Sequence, residues 1–229
     1  MPRTSLSVMR IVIAGGHGKI ALRLARLLAQ RGDTPVGLIR NPDHADDVRA
    51  AGAEPVVIDL EATTVTQVAE KMMGADAVVF AAGAGPGSGA ARKDTVDRAA
   101  AILTADAASL VGARRFLMIS AMGVDEGPAP DADPVWAAYL RAKKAADDDL
   151  RGRSEQLDWT ILRPGRLTDD PGTGKVRLAP SGVGRSTISR DDVAAVLVAL
   201  LDAPGTIGKV LEVVGGETPI SDAVAAVSR

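Results

Sequence analysis

Short runs of β-branched and other apolar residues alternate with longer segments of helical period along most of the chain, and no other feature limits the possible folds as strongly. Most of these runs are apolar almost throughout, as is expected of strands that helices cover on both faces of a parallel sheet. The alternation therefore predicts an α/β fold in which one doubly wound parallel sheet carries helices on both faces. A chain of 229 residues has the size of a single domain.

The same alternation gives the expected elements. Strands are predicted at residues 10–14, 35–39, 55–58, 77–81, 115–120, 159–162 and 210–214. Helices are predicted at residues 19–31, 43–51, 65–73, 94–110, 134–151 and 191–201, and several are followed by a glycine that can end a helix. Because glycine and proline become dense after Pro164, residues 164–189 are expected to form a small irregular segment on the substrate side of one domain spanning residues 1–229.

Composition excludes several classes of function. The 27 Lys and Arg residues nearly balance the 29 Asp and Glu residues, and only five side chains are aromatic. The chain thus lacks both a broad positive field and a stacking platform, so we expect no nucleic acid partner. It contains no cysteine, and His17 and His44 lie too far apart to form a ligand-spaced pair. We therefore expect neither disulfides nor a metal site.

No apolar run is long enough for the core of a signal peptide near the start of the chain, or for a helix that crosses a bilayer. We therefore expect a cytoplasmic protein without a membrane partner. The expected partner is a small-molecule substrate, and the expected assembly is a monomer or a homodimer.

A glycine-rich loop follows the first predicted strand. It runs directly into the first helix and contains Gly15, Gly16, His17, Gly18, Lys19, Ile20 and Ala21. Glycine permits a tight turn and lets backbone N–H groups approach a diphosphate, while the helix N-terminus supplies partial positive charge. The loop predicts a dinucleotide site with residues 15–20 as contacts. The alternative is an ordinary glycine-containing turn between a strand and a helix.

Arg40 directly follows the second predicted strand, at the position where an NAD site usually places a carboxylate for the ribose 2′-hydroxyl. A guanidinium there can bond a 2′-phosphate, and Asp43 comes three residues later, away from the strand end. The sequence therefore favours NADP(H) over NAD(H). The alternative is that Arg40 only solvates a loop.

The single tyrosine of the chain, Tyr139, precedes Lys143 by four residues within a predicted helix, so both side chains project from one helical face. A nearby ammonium is expected to lower the pKa of the phenol from its usual value of about 10, which would make it a proton donor or acceptor near neutrality. Ser120 ends the fifth predicted strand, at the sheet edge where such folds bind ligands. The alternative is a half-buried tyrosine beside a solvated lysine.

These features together resemble the short-chain dehydrogenase/reductase superfamily, and more closely its atypical NAD(P)-binding branch of NmrA-like and biliverdin-reductase-B-like proteins. The resemblance covers nearly the whole chain. Its carriers are residues 15–21, Arg40, Asp59 with Leu60, residues 81–83, residues 120–123, Tyr139 with Lys143, and residues 163–165. The fold implied is Rossmann-like.

The resemblance also implies roles for these residues. Asp59 and Leu60 would flank the adenine, Ala81, Ala82 and Gly83 would pass beneath the cofactor ribose, and Pro164 would lie near the nicotinamide. The catalytic set would comprise Ser120, Tyr139 and Lys143, with Lys143 also holding the ribose. Asp97 stands where the superfamily usually has a catalytic asparagine, a departure that leaves the usual proton relay in doubt.

The expected function is that of an NADPH-dependent oxidoreductase that transfers hydride to a small carbonyl, quinone-like or conjugated substrate. Two alternatives stay open at this point. One is a non-catalytic sensor of NADP(H), and the other is an NAD(P)-dependent epimerase or dehydratase.

Overall fold

A computed structural model describes residues 8–85 and 87–229. The strands in this part of the chain are β1 Arg10–Ala14, β2 Thr34–Ile39, β3 Glu54–Val57, β4 Ala77–Phe80, β5 Arg115–Ile119, β6 Asp158–Pro164, β7 Arg166–Thr168, β8 Lys175–Ala179, β9 Thr187–Ser189, β10 Lys209–Gly215 and β11 Thr218–Pro219. The α-helices are α1 Lys19–Arg31, α2 Ala45–Ala50, α3 Val65–Met72, α4 Ala90–Arg92, α5 Ala101–Val111, α6 Pro134–Arg151, α7 Arg190–Leu201 and α8 Ile220–Val227. None of these helices is long and apolar enough to cross a membrane.

Nine strands form the central sheet in the order β11-β8-β10-β6-β5-β4-β1-β2-β3. Every neighbouring pair from β10 to β3 is parallel. The chain builds the sheet outward from β1 in both directions, so the order reverses between β1 and β4. The predicted doubly wound, Rossmann-like α/β fold is confirmed. The sheet is not wholly parallel, because β8 runs antiparallel to β10 and β11.

The strand β1 shows why its sequence is apolar throughout. Ile11 and Ile13 pack with the apolar side chains of α1 and α7 on one face of the sheet. Val12 and Ala14 pack with those of α3, α5 and α6 on the other face. A strand that is covered on both faces has apolar side chains on both. Its sequence is therefore a continuous apolar run, and this pattern predicted the buried parallel sheet.

Several helices begin or end where the sequence provides a capping residue. The helix α1 ends at Gly32, which adopts a left-handed conformation with φ of 91°. Thr64 and Gln67 form a reciprocal capping box at the start of α3. Asp133 caps α6 by accepting hydrogen bonds from the backbone N–H groups of Val135 and Trp136.

The predicted fourth helix, residues 94–110, is wrong in its start and in its form. Helical structure begins four residues earlier, at Ala90, and residues Lys93–Ala100 form a π-helical segment before α5. The wider π-helical turns bring Lys93, Val96, Asp97 and Ala100 to the buried side together. A pattern based on a period of 3.6 residues cannot anticipate that placement.

The segment expected to be irregular, residues 164–189, contains three short strands. The strands β7 and β9 pair with each other in a small second sheet, and β8 joins the edge of the main sheet. The strands β7 and β9 have three residues each, too few to show a strand period, whereas β8 does alternate exposed polar residues with the buried Val176 and Leu178. The predicted helix 43–51 is a 3₁₀ turn at Pro42–His44 followed by α2, and the last helix, α8, was not predicted.

The loop after β1 lies against the end of β2. A Cβ atom on Gly16 would lie 2.5 Å from the Cα of Gly37, and the N–H of Gly16 donates a hydrogen bond to the carbonyl oxygen of Leu38. The two backbones therefore touch where only glycine leaves room.

We expect Gly16→Ala to lower the free energy of unfolding by about 1 to 3 kcal/mol, because the methyl group must displace the β2 backbone. Gly89→Ala is the matched control, since its Cβ would meet no atom within 4 Å and the φ of Gly89 is −74°. Chemical denaturation followed by circular dichroism measures both. Equal denaturation midpoints for the two variants would contradict the close approach.

Candidate functional site

Two adjoining cavities lie along the carboxyl ends of the central strands. The larger has a volume of about 1000 Å³ and the smaller about 340 Å³. They share Ala81, Ala82 and Gly83, which follow β4 directly. Because β1 and β4 flank the point where the strand order reverses, the cavities occupy the crevice in which folds of this kind bind ligands.

The glycine loop lines the smaller cavity with Gly15, Gly16, His17 and Gly18. A Cβ on Gly15 would lie 2.5 Å from the Cα of Ala82, and Gly15 has a φ of 79°. Gly18 provides no capping side chain for α1, and the first turn of this helix contains no acidic residue. The first backbone N–H groups of α1 are thus left for an anion, so the loop fits a dinucleotide diphosphate.

Three predicted contact residues of this loop differ in what their side chains do. The ring of His17 stacks on that of His44 with 3.7 Å between centroids, and its Nε2 atom lies 2.8 Å from a carboxylate oxygen of Asp47. The Nζ atom of Lys19 donates a hydrogen bond to Asp169 over 2.6 Å. What His17 and Lys19 can offer a diphosphate is therefore their backbone, whereas Ile20 lines the larger cavity.

Arg40 lines the smaller cavity, but it has a carboxylate beside it. Its Nη1 atom donates a hydrogen bond to Oε2 of Glu61 over 3.0 Å, and Nη2 of Arg92 donates to the same oxygen over 3.0 Å. The sequence has no carboxylate at the end of the second strand, but Glu61 supplies one beside Arg40 in the structure. Glu61 reaches this point from the turn after β3, so its distance from Arg40 in sequence concealed the contact.

Glu61 is held in its ionised form. Partial burial acts to raise the pKa of this carboxyl, but the hydrogen bond from Thr95 and the charged Arg92 and Arg40 together lower it below its usual value. The cavity therefore presents two guanidinium groups, those of Arg40 and Arg92, and two carboxylates, those of Glu61 and Asp59.

The residues predicted to flank the adenine, Asp59 and Leu60, line the smaller cavity. A carboxylate oxygen of Asp59 accepts a hydrogen bond from the N–H of Glu61 over 3.0 Å. Asp59 thus fixes the turn that carries Glu61 into the cavity.

The four predicted catalytic residues all line the larger cavity: Ser120, Tyr139, Lys143 and Asp97. Pro164, at the end of β6, lines it too. The Nζ atom of Lys143 lies 3.4 Å from a carboxylate oxygen of Asp97 and donates a hydrogen bond to the carbonyl oxygen of Ile119 over 3.1 Å. Both members of this ion pair are buried. The structure therefore brings the four residues together, with Asp97 as the counter-ion of the lysine.

The pKa of Tyr139 is raised, contrary to the expectation from its neighbour at i+4. Burial of the phenol is the main cause, and the carboxylates of Asp97 and Asp147 add to it. Lys143 acts in the expected direction but does not outweigh burial. The phenol is therefore in its protonated form at neutral pH.

A buried relay of charges behind Ser120 was not predicted from the sequence. The hydroxyl of Ser120 donates a hydrogen bond to Asp147 over 2.9 Å, and Arg163 donates to the same carboxylate oxygen over 2.8 Å. Arg163 also donates two hydrogen bonds to Asp125. Asp147 is 0% exposed, and it follows Lys143 by four residues. That spacing was a signal, since it places Asp147 on the helical face of Tyr139 and Lys143.

The two carboxyl groups of this relay, Asp147 and Asp125, have pKa values shifted in opposite directions. Burial raises the pKa of Asp147, although Arg163 and Ser120 oppose it. The hydrogen bonds from Arg163 lower the pKa of Asp125 to about 2.

Among the described residues no group of three or more His, Asp or Glu side chains is placed to hold a metal ion.

The sequence pattern of an NAD(P)H-binding family matches residues 15–204. An uncharacterised sugar epimerase of Bacillus subtilis (strain 168), YhfK, is 34% identical over 217 residues, which cover 94% of this chain and 99% of the relative. A Bacillus halodurans structure, provisionally assigned as an NAD-dependent epimerase/dehydratase, is 38% identical with a TM-score of 0.86, covering 95% of this chain and 99% of that one.

The crystal structure of the oxidoreductase ylbE from Lactococcus lactis is 25% identical, with a TM-score of 0.81, and the match covers 95% of this chain and 96% of that one. The matched residues include the glycine loop and the larger cavity. The chain therefore belongs to the NAD(P)H-binding family, within the atypical short-chain dehydrogenase/reductase superfamily that its motifs indicated.

Proposed function

We propose that this protein is an NADPH-dependent oxidoreductase that reduces a small carbonyl, quinone-like or conjugated substrate. The observation that carries the proposal is a protonated phenol, Tyr139, in a cleft that adjoins a glycine cradle for a dinucleotide. A bound nicotinamide would supply the hydride that such a reduction needs.

The residues that would hold the cofactor form a continuous path through both cavities. The backbone of the glycine loop would hold the diphosphate, Asp59 and Leu60 would flank the adenine, and Lys143 would bind the nicotinamide ribose. Further contacts come from Ala81, Ala82, Gly83 and Pro164.

Tyr139 would donate its proton to the substrate oxygen as that oxygen gains negative charge. Its raised pKa keeps the proton on the phenol before the reaction. Asp97 contributes to this state in two ways, because it raises the pKa of Tyr139 and neutralises the ammonium of Lys143 from 3.4 Å. The ion pair thus favours the protonated phenol, which is the form that donates a proton.

NADPH is the proposed form of the cofactor. Arg40 and Arg92 both face the smaller cavity and share the carboxylate of Glu61, so their other N–H groups are left for a 2′-phosphate. A charge-assisted hydrogen bond from a guanidinium to a phosphate stabilises the complex by about 1.5 to 3 kcal/mol.

An epimerase is the second candidate function. The name of the Bacillus subtilis relative and the assignment of the Bacillus halodurans structure both favour it. An epimerase returns its cofactor to the starting state in each cycle, whereas a reductase consumes NADPH. Stoichiometric loss of NADPH absorbance with formation of reduced product would support the reductase.

We expect the wild type to bind NADPH at least about tenfold more tightly than NADH, and Arg40→Ala to remove most of that difference. Glu61→Gln should tighten NADPH binding, because the carboxylate no longer competes with phosphate for the two arginines. Arg49→Ala is the matched control, as Arg49 pairs with Asp46 outside both cavities. Fluorescence titration measures each affinity. Equal wild-type affinities, or weaker NADH binding by Glu61→Gln, would point to an NAD site.

We expect Tyr139→Phe to lower turnover by about 10²- to 10⁴-fold with little change in NADPH affinity, since it removes only the proton donor. Lys143→Ala should lower both turnover and affinity. Lys144→Ala is the control, because the exposed Lys144 pairs with Asp148 and Asp125 outside the cleft. A panel of quinones, aldehydes, ketones and flavins is screened first. Full turnover by Tyr139→Phe would reject the phenol as the acid, and tight NADPH binding with no turnover would favour a sensor.

The pH dependence follows from the raised pKa of Tyr139. The protonated phenol is the reactive form in reduction, so activity is lost only as the pH rises through that pKa, above the ordinary value of 10.0. We expect a flat rate of reduction from about pH 7 to pH 10. A decline centred well below pH 10 that is absent in Tyr139→Phe would show a lowered pKa instead.

A further inference from the structure

The walls of the larger cavity are positively charged, although the whole chain has a net charge of −2. Among the described residues, five cationic side chains line this cavity and two carboxylates do. The cations are Lys93, Lys143, Arg166, Arg185 and Arg190, and the carboxylates are Asp97 and Asp133. Asp133 is engaged as the N-cap of α6.

Three of the five cations have a carboxylate partner. Lys143 pairs with Asp97, Arg185 with Glu126, and Arg190 with Asp169. Within residues 8–85 and 87–229, Lys93 and Arg166 form no ion pair. These two cations are therefore the ones available to an anionic ligand.

Lys93 is the more informative of the two because it is only 9% exposed. Its Nζ atom donates a hydrogen bond to the carbonyl oxygen of Gly85 over 2.9 Å and lies 5.2 Å from the ring centroid of Tyr139. An ammonium group has three protons to donate, and burying it without a negative partner is costly. The π-helical segment nevertheless brings this lysine to the cavity beside the proposed proton donor.

Arg92 and Lys93 are adjacent in the sequence, but their charged groups line different cavities. Arg92 lines the smaller cavity, where it bonds Glu61, and Lys93 lines only the larger one. The glycine loop also lies in the smaller cavity. The phosphates of a dinucleotide would therefore fall on the side of Arg92, and the charge of Lys93 is left for the second ligand.

The cavity wall next to Lys93 also carries a flat apolar surface. The rings of Trp136 and Tyr139 are stacked with 5.2 Å between centroids, and Trp136 is 51% exposed. An exposed indole at the wall of a cavity suits a planar, conjugated body.

We propose that Lys93 is a specificity-determining residue that binds a carboxylate of the substrate, so that the enzyme prefers aromatic or conjugated carbonyl compounds carrying a carboxylate. This inference rests on the proposed reductase function. Lys93 would receive the carboxylate while the adjacent Tyr139 faces the carbonyl oxygen, and Trp136 would cover the conjugated body. Arg166 adds positive charge to the same cavity.

The test measures binding as well as activity. Benzoate and its neutral analogue benzamide are titrated by calorimetry into the protein, with and without saturating NADP⁺. The variants are Lys93→Met, which keeps the length of the side chain without its charge, and Lys93→Arg, which keeps the charge. Lys144→Met is the control for the loss of a lysine outside the cavity. NADP⁺ affinity and the circular dichroism spectrum are recorded for every variant.

We expect wild type, Lys93→Arg and Lys144→Met to bind benzoate at least about tenfold more tightly than benzamide, as one charge-assisted hydrogen bond implies. Lys93→Met should lose that preference and retain its NADP⁺ affinity. If turnover is found, the wild-type preference in kcat/KM for 4-carboxybenzaldehyde over benzaldehyde should fall in the same variant.

Three results would overturn the proposal: no preference of the wild type for benzoate, a preference that survives in Lys93→Met, or a parallel loss of NADP⁺ affinity in Lys93→Met, which would assign the lysine to the cofactor. The proposed function fails separately, if the wild type binds neither NADP⁺ nor NADPH. The titrations without nucleotide report on Lys93 in that case as well. If Lys93→Met does not fold, Lys93→Gln replaces it under the same criteria.

Discussion

The close approach of three backbones at the carboxyl ends of the central strands is the constraint on which the site depends. Gly16 touches the β2 backbone at Gly37, and Gly15 touches Ala82, which lies just after β4. Side chains at these glycines would force the strands and the loop apart. Because the loop is pressed against both strands, α1 starts directly at the crevice with an uncapped N-terminus. The fold thereby creates a positively polarised edge before any charged side chain is added.

Charged side chains then divide this edge into two chemically different cavities. The smaller one sets two guanidinium groups around the carboxylate of Glu61, which suits a phosphorylated ribose. The larger one surrounds a single phenol with cations and a buried ion pair. A chain with nearly balanced charge can hold two anionic ligands in this way, because the balance is local. The carboxylates that pair with Arg185 and Arg190, namely Glu126 and Asp169, do not line the cavity.

The sequence predicted what depends on local patterns. The bounds of β1, α1 and α6 agree with the structure, since glycine, proline and helical period mark them in adjacent residues. Contacts between distant segments left no such mark. Glu61 meets Arg40 across 21 residues, so the carboxylate beside the predicted phosphate site was missed. The π-helical segment does not follow the period of 3.6 residues on which helix prediction relies. The buried position of Lys93 could therefore not be predicted from the sequence. Asp147 was not predicted either, although its spacing from Tyr139 and Lys143 was visible in the sequence.

The buried Asp147 also decides which hydroxyl group of the site can donate a proton to a carbonyl oxygen. While Asp147 is ionised, the hydroxyl of Ser120 donates to it over 2.9 Å and can present only lone pairs to the cavity. Ser120 then accepts hydrogen bonds, and of the two hydroxyl groups Tyr139 is the one that can donate to a carbonyl oxygen. Arg163 favours the ionised form of Asp147 against the effect of burial, and the other carboxylate partner of Arg163, Asp125, lies at the surface, where its pKa of about 2 keeps it charged. A relay that begins at the surface thus determines the direction of a single hydrogen bond inside the cavity.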